Sequence, residues 1–505
     1  MAEPTGAEGG ALPEDQCIRY GTPQGRWVML AMILGSSVAL LDGTVVNVAL
    51  PVIGQDFDAN VSGLQWTLNG YLLALASLIL LGGSLGDRFG RRRVFLVGVV
   101  WFGLASLLCG LAVSMPMLIA ARILQGIGGA LMTPGSLAIL QATFHPADRG
   151  RAIGAWSGLS GIATAIGPFV GGYLIAAFSW RYIFLINLPV VALIVPIALR
   201  HVPETSDPTS ARQLDFAGAV AGALGLAGAT FALIEGPERG ATSLSVLAAA
   251  VMGLGALAAF VLIEERSRHP MVPLDIFSSG QFVWANVVTV TIYAALGSVF
   301  FLLVLQLQQV LGYTPLQAGM AALPVTVLLL LLSARAGALS SRIGPRLPMT
   351  AGPLISAVGI ALMIRITAGA GYIATVLPAV TVFGIGLALT VAPLTTTVLA
   401  AAESRHAGVA SGVNNAVARA AQLLAVAVLP VLAGITGDAY TNPEVFASGF
   451  RTAVLIAAGL LAGGGAVAWF TISNDVGRVE PAAASRPQGL RCEFQAPTLR
   501  TAVRQ

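Results

Sequence analysis

Apolar residues run along this chain in fourteen long blocks, at 27–50, 64–86, 94–113, 115–140, 150–177, 182–199, 214–234, 243–263, 282–307, 316–340, 347–367, 372–399, 407–433 and 450–471. Most reach about 20 residues, the length at which a helix crosses a roughly 30 Å hydrocarbon layer. The pattern therefore predicts fourteen transmembrane helices. Between the second and third blocks it breaks on a charged knot containing Gly83, Asp87, Arg88, Gly90, Arg91, Arg92 and Arg93. Such a knot cannot sit in lipid, so it predicts a tight turn at a membrane face, and its arginines assign that face to the cytoplasm. A weaker copy, with Gly337, Ser341, Arg342, Gly344 and Arg346, follows the tenth block. Six helices, two, then six explain that offset. The expected organisation is a cytoplasmic tail over 1–26, a six-helix bundle over 27–199, two inserted helices with their loops over 200–281, a second six-helix bundle over 282–472 and a cytoplasmic tail over 473–505, whose Ala, Pro and Arg content predicts disorder.

Composition sharpens this into an integral membrane protein: 56% of the 505 residues are hydrophobic and 10% charged, and the mean hydropathy is +0.83. Soluble domains carry about 25% charged residues. The net charge of +4 resides in loops and tails, so it reads as topology and not as a nucleic-acid surface. Arg149, Arg151, Arg200, Arg212, Arg266, Arg268, Arg342, Arg346 and Arg405 fall on the same alternate connections as the knot, with Arg239, beside Glu235 and Glu238, the exception. An even number of spans then puts both termini in the cytoplasm. The first 26 residues hold acids and no apolar core, unlike a cleavable signal peptide. Cys17, Cys109 and Cys492 show no metal spacing, and His145, His201, His269 and His406 stand at loops or helix ends. With no H-E-x-x-H or G-x-S-x-G present, the sequence argues against an enzyme and against a bound metal or cofactor.

The candidate chemistry centres on Asp42, read as the one carboxylate well inside the predicted spans. An ionised Asp at the bilayer centre costs roughly 2.5–3.5 kcal/mol on insertion scales, so its presence demands a reason. Desolvation raises a carboxyl pKa and a nearby cation lowers it, and an environment that switches between the two makes a proton carrier. Arg122 is the candidate cation. Counted at 1.5 Å per residue, Asp42 lies about 13 Å and Arg122 about 10 Å below the same membrane face. Shared depth allows a pair but does not fix azimuth, and a packing role for Asp42, bonded to Thr44, Asn47 or a neighbouring span, stays open.

Four motifs now carry a family resemblance: Leu41-Asp42-Gly43-Thr44 to Pro51 in span one, the knot after span two, Arg122 with Gln125, Gly126 and Gly128 in span four, and Gly161, Gly167, Pro168, Gly171 and Gly172 in span five. In this order they resemble the fourteen-span drug:proton antiporters of the major facilitator superfamily, the EmrB/QacA-like group. The resemblance implies a two-bundle fold, alternating access, and export of amphipathic drugs or antibiotics driven by proton entry, with no cofactor. Asp42 and Arg122 would couple the proton, and the glycines and proline of span five would mark an exporter. The knot would act as a latch, Asp87 bonding neighbours or a helix end of the other bundle and Arg91 to Arg93 reaching across. Candidate cavity residues are Asn47, Tyr71, Gln125, Asn286, Tyr293, Gln306, Asn414 and Arg419. With no second deep acid, a divalent organic cation fits poorly, while neutral, anionic and monocationic compounds stay open. Partners are then small organic substrates, protons and lipid, with the chain functional as a monomer. An exporter of an endogenous metabolite or lipid, or a proton-coupled importer, is the alternative.

Overall fold

The computed structural model describes residues 17–206, 215–267, 270–401, 407–437 and 442–474. Arg212, Arg268, His269, Arg405, His406, Cys492, the first 16 residues and the tail beyond Asn474 lie outside these. Among the described residues are fourteen helices long and apolar enough to span a membrane. They are α1 (Pro23–Asp56), α2 (Val61–Phe89), α3 (Arg91–Gly110), α4 (Met115–Thr143), α5 (Pro146–Ala177), α6 (Tyr182–His201, interrupted at Ile186) and α7 (Phe216–Arg239). After them come α8 (Leu244–Arg266), α9 (Gly280–Gln309), α10 (Pro315–Ile343), α11 (Arg346–Arg365), α12 (Tyr372–Ala400), α13 (Ala407–Leu432) and α14 (Pro443–Thr471).

The helices overrun the apolar blocks because caps, and not hydrophobicity, fix their ends. The Thr22 hydroxyl accepts the Gly25 N–H and Pro23 opens α1, four residues before the predicted start. Thr314 and Gln317 cap α10 reciprocally, and Asn442 with Pro443 starts α14 ahead of the predicted 450. Pro51, read as the end of the first span, lies inside α1, since membrane helices tolerate an interior proline where neighbours restore the lost bond. Longer helices also bring in acids that the block boundaries left out: Glu235 of α7 is 8% exposed and Glu264 of α8 is 2% exposed. Asp42 is therefore not the sole buried carboxylate of the spans.

In the first bundle α2 and α3 pack on α4, and α1 on α5; in the second, α12 packs on α10 and α11, and α14 on α9 and α11. Two seams join them, α5 against α10 and α2 against α13. The inserted hairpin is tied to the first bundle: Glu235 accepts from Ser62 Oγ (3.0 Å) and Trp66 Nε1 (2.9 Å), and Asn60 Nδ2 donates to Glu238 (2.7 Å).

The packing is asymmetric between the two membrane faces. One apolar core runs through both bundles, and its first-bundle members, such as Val45, Leu50, Leu64 and Leu118, all lie away from the arginine-bearing turn. On the arginine side the first bundle has a core of its own, around Met32, Phe95, Ile139 and Ile197. Helix α5 repeats the contrast. A Cβ on Gly172 would stand 2.6 Å from Leu316 Cα across the α5–α10 seam, one on Gly171 would stand 2.7 Å from Val45, Gly167 backs on Thr44, and the Pro168 carbonyl lies against Gly319. Gly154, Gly158 and Gly161 have open space where a Cβ would go. Gly161 is the one glycine of the motif at which an added Cβ would meet no neighbour. Helix α5 is thus packed tightly at one face and loosely toward the arginine face, where Gly412 of α13 still meets Leu80 of α2.

Overpacking the sealed seam should be costly. Gly172→Val is expected to destabilise the detergent-solubilised protein by about 1–3 kcal/mol, whereas Gly161→Ala should leave the thermal unfolding midpoint in place.

Candidate functional site

Asp42 and Arg122 are each 1% exposed and face one another across the first bundle. Arg122 NH1 lies 2.5 Å from Asp42 Oδ2 and 2.6 Å from Gln125 Oε1, and its Nε donates to the Thr67 carbonyl at 3.0 Å. Gln125 Nε2 in turn donates to Asp42 Oδ1 at 2.9 Å. Arg122 and Gln125 meet the same acid because residues three apart share a helix face. The guanidinium lies 4.5 Å from the centroid of the Tyr71 ring and 5.7 Å from that of Phe184. Gln125 also donates to Ser106 Oγ (3.1 Å), which receives Asn187 Nδ2 (2.8 Å) and donates to the Phe184 carbonyl (3.0 Å). Five helices, α1, α2, α3, α4 and α6, thus converge on one ion pair.

Gln125, a cavity candidate in the sequence, is fully buried in this network, and Tyr71 packs against its cation. Asn47 donates to the Gly43 carbonyl of its own helix. Sequence reasoning missed Ser106, whose only signal is a lone hydroxyl in an apolar block, and it gave no role to Cys109, whose Sγ lies 3.5 Å from Gln125 Oε1.

The arginine turn closes on its own bundle, whereas the sequence reading had its arginines reaching across to the other. Asp87 pairs with Arg91 at 2.8 Å, one turn along, and Arg88 lies over Phe89. Arg91 N–H donates to the Thr205 carbonyl (2.8 Å), Arg92 N–H to Glu204 Oε1 (3.0 Å), and the Arg92 guanidinium to the Val202 carbonyl (3.0 Å). Gly90 sits at φ +105°, where a side chain would be strained and would strike Glu204. Glu204, just past α6, thus caps α3, favoured by the helix dipole. The second copy repeats the device. Gly344 sits at φ +87°, and Asn474, just past α14, accepts the Arg346 N–H (3.1 Å) while the Arg346 guanidinium donates to Trp469 (2.6 Å). Gly83 lies higher on α2, with Pro134 of α4 as its nearest neighbour.

In the second bundle α9, α12 and α13 enclose a cavity of about 110 Å³ lined by Tyr293, Thr395, Val398, Asn414, Asn415 and Arg419, among others. Asn414 Nδ2 bridges Asn286 Oδ1 (3.0 Å) and Thr289 Oγ1 (2.8 Å), tying α13 to α9. Gln306 is not part of this cavity: it is buried, donating to the Ile366 carbonyl. Arg335, which the sequence reading passed over, is a further charge within a span, exposed on α10.

The Major Facilitator Superfamily model matches residues 32–426. The chain belongs to that superfamily. Among its members, the multidrug resistance protein Stp of Mycobacterium tuberculosis is 36% identical over 389 residues, covering 77% of this chain and 72% of that one. The tetracenomycin C resistance and export protein of Streptomyces glaucescens is 36% identical over 423 residues, covering 82% and 77%. The fold matches that of a bacterial homologue of the lysosomal transporter Spinster, with a TM-score of 0.61 at 17% identity over 89% of this chain and 97% of that one. Fourteen spans and this membership make it a multi-pass membrane transporter.

Removing one partner of a buried pair leaves the other charge uncompensated. Arg122→Leu should therefore cost about 3–5 kcal/mol of stability, and Asp42→Asn added to it should restore much of the loss; a thermal-unfolding double-mutant cycle reads both.

Proposed function

We propose that this chain exports amphipathic drugs or antibiotics across the bacterial cytoplasmic membrane in exchange for protons, by alternating access. The observation that carries the reading is similarity over 77% and 82% of the chain to proteins named for multidrug resistance and for antibiotic resistance and export. The arginine face and both termini lie in the cytoplasm, so the loosely packed end of α5 faces inward and substrate enters the second-bundle cavity from inside.

Asp42 carries the proton. In the inward-open form it is ionised and held by Arg122 and Gln125. When the cycle exposes the other face, a proton from outside neutralises Asp42 Oδ2, the Coulombic hold on Arg122 is lost, and Gln125 is freed to rebind. The Arg122 cation keeps the Thr67 carbonyl and the Tyr71 ring, which limits the charge it leaves exposed. Return to the inward form releases the proton to the cytoplasm. The bundles rock about the close α5–α10 contact of Gly172 and Gly319. The Asp87–Arg91 pair and the Glu204 cap act as the cytoplasmic latch, holding the turn in one shape while its bundle moves.

A pump-deficient bacterial host expressing wild type or Asp42→Asn at equal membrane level, tested on a panel of antibiotics and dyes, checks this. Wild type should raise resistance to at least one compound and Asp42→Asn should return it to the vector level. Undiminished resistance with Asp42→Asn would remove that residue from the coupling step.

A further inference from the structure

The two bundles treat their deep arginines differently. Arg122 has a carboxylate, a glutamine, a carbonyl and two aromatic faces. Arg419, near the middle of α13, has the Gln422 Oε1 at 3.2 Å, and none of the ion pairs among the described residues includes it. It lines the second-bundle cavity. A guanidinium held at that depth without an acid calls for a compensating charge, and intramembrane cations as a rule serve function.

The surroundings are built to aim it. Gly297 of α9 lets Gln422 approach to about van der Waals contact, a Cβ there falling 3.1 Å from Gln422 Cα. The two helices run parallel, so one turn below that contact Tyr293 and Arg419 come to the same level. A further turn down, Asn414 is locked to Asn286 and Thr289. Tyr293, Asn414, Asn415 and Arg419 thus converge on one space, which Val398, Leu399 and Ala418 line on an apolar strip beside the hydroxyls of Thr395 and Ser411. Planar, five-donor guanidinium chemistry matches an oxyanion bidentately.

We propose that Arg419 anchors the oxyanion of an amphipathic organic monoanion, with Tyr293 and Asn415 completing its hydrogen bonds and Val398 and Leu399 packing on its hydrocarbon body. This rests on the export reading for the direction of transport, but the binding preference stands by itself.

The test is a matched pair of probes, 1-pyrenebutyric acid and its methyl ester, titrated into the full-length protein in detergent at neutral pH, with tryptophan-to-pyrene energy transfer reporting binding. The acid should bind about tenfold more tightly than the ester, as expected for a charge-assisted contact. Arg419→Gln should weaken the acid by about that factor and leave the ester alone, and Arg419→Lys should keep part of the preference. Equal binding of acid and ester by wild type, which needs no variant to fold, would overturn the proposal. So would an Arg419→Gln protein that weakens both probes alike. An acid preference in a protein that raises no resistance in cells would sink the export reading and leave this one standing. Efflux of neutral or cationic compounds with no acid preference would do the reverse.

Discussion

An ionised carboxylate survives inside a membrane protein only where a cation and several dipoles replace the water it has lost, and the first bundle is arranged around meeting that demand for Asp42. Five of its six helices deliver a group to the Asp42–Arg122 pair or to the amide that bridges it, α6 through the Phe184 ring. The same requirement makes the site switchable. A buried pair is held by a near balance between desolvation and attraction, so one proton at Asp42 shifts that balance by more than any single packing contact could.

Around this centre the molecule divides labour between rigid and yielding parts. Helix caps at both arginine turns, Glu204 on α3 and Asn474 on α11, bind each bundle to itself. In the proposed cycle the seams carry the motion. Helix α5 is packed to the backbone at Gly171 and Gly172 and has free space at Gly154 to Gly161, which in that cycle makes one half a bearing and the other an opening. The α7–α8 hairpin is tied to the first bundle through Glu235.

Much of this was legible in the sequence. Fourteen apolar blocks and two copies of one turn are long-range, redundant signals, and they lead to the all-α, six-two-six fold. The Asp42–Arg122 pair was legible as a coincidence of charge and depth, because a charge in lipid is rare enough to need a partner. What stayed hidden depends on azimuth and on chain ends. Depth along α4 could not tell whether Gln125 turned to the cavity or to Asp42, and Gln306 and Asn47 likewise turn to backbone carbonyls. Glu204 and Asn474 lie in loops that hydropathy treats as blank, so the arginines of the turn were read as reaching across the gap when their acceptors sit at the ends of their own bundle.

The most direct test of the central claim is proton release on substrate binding. The purified protein in weakly buffered detergent solution, with a pH-sensitive dye, would be mixed with a compound to which wild type confers resistance. Wild-type molecules that still carry the proton are expected to release it as binding draws them into the inward form with Asp42 ionised, while Asp42→Asn binds the compound and releases none. Equal proton release from Asp42→Asn would contradict the assignment and move the coupling site elsewhere in the chain.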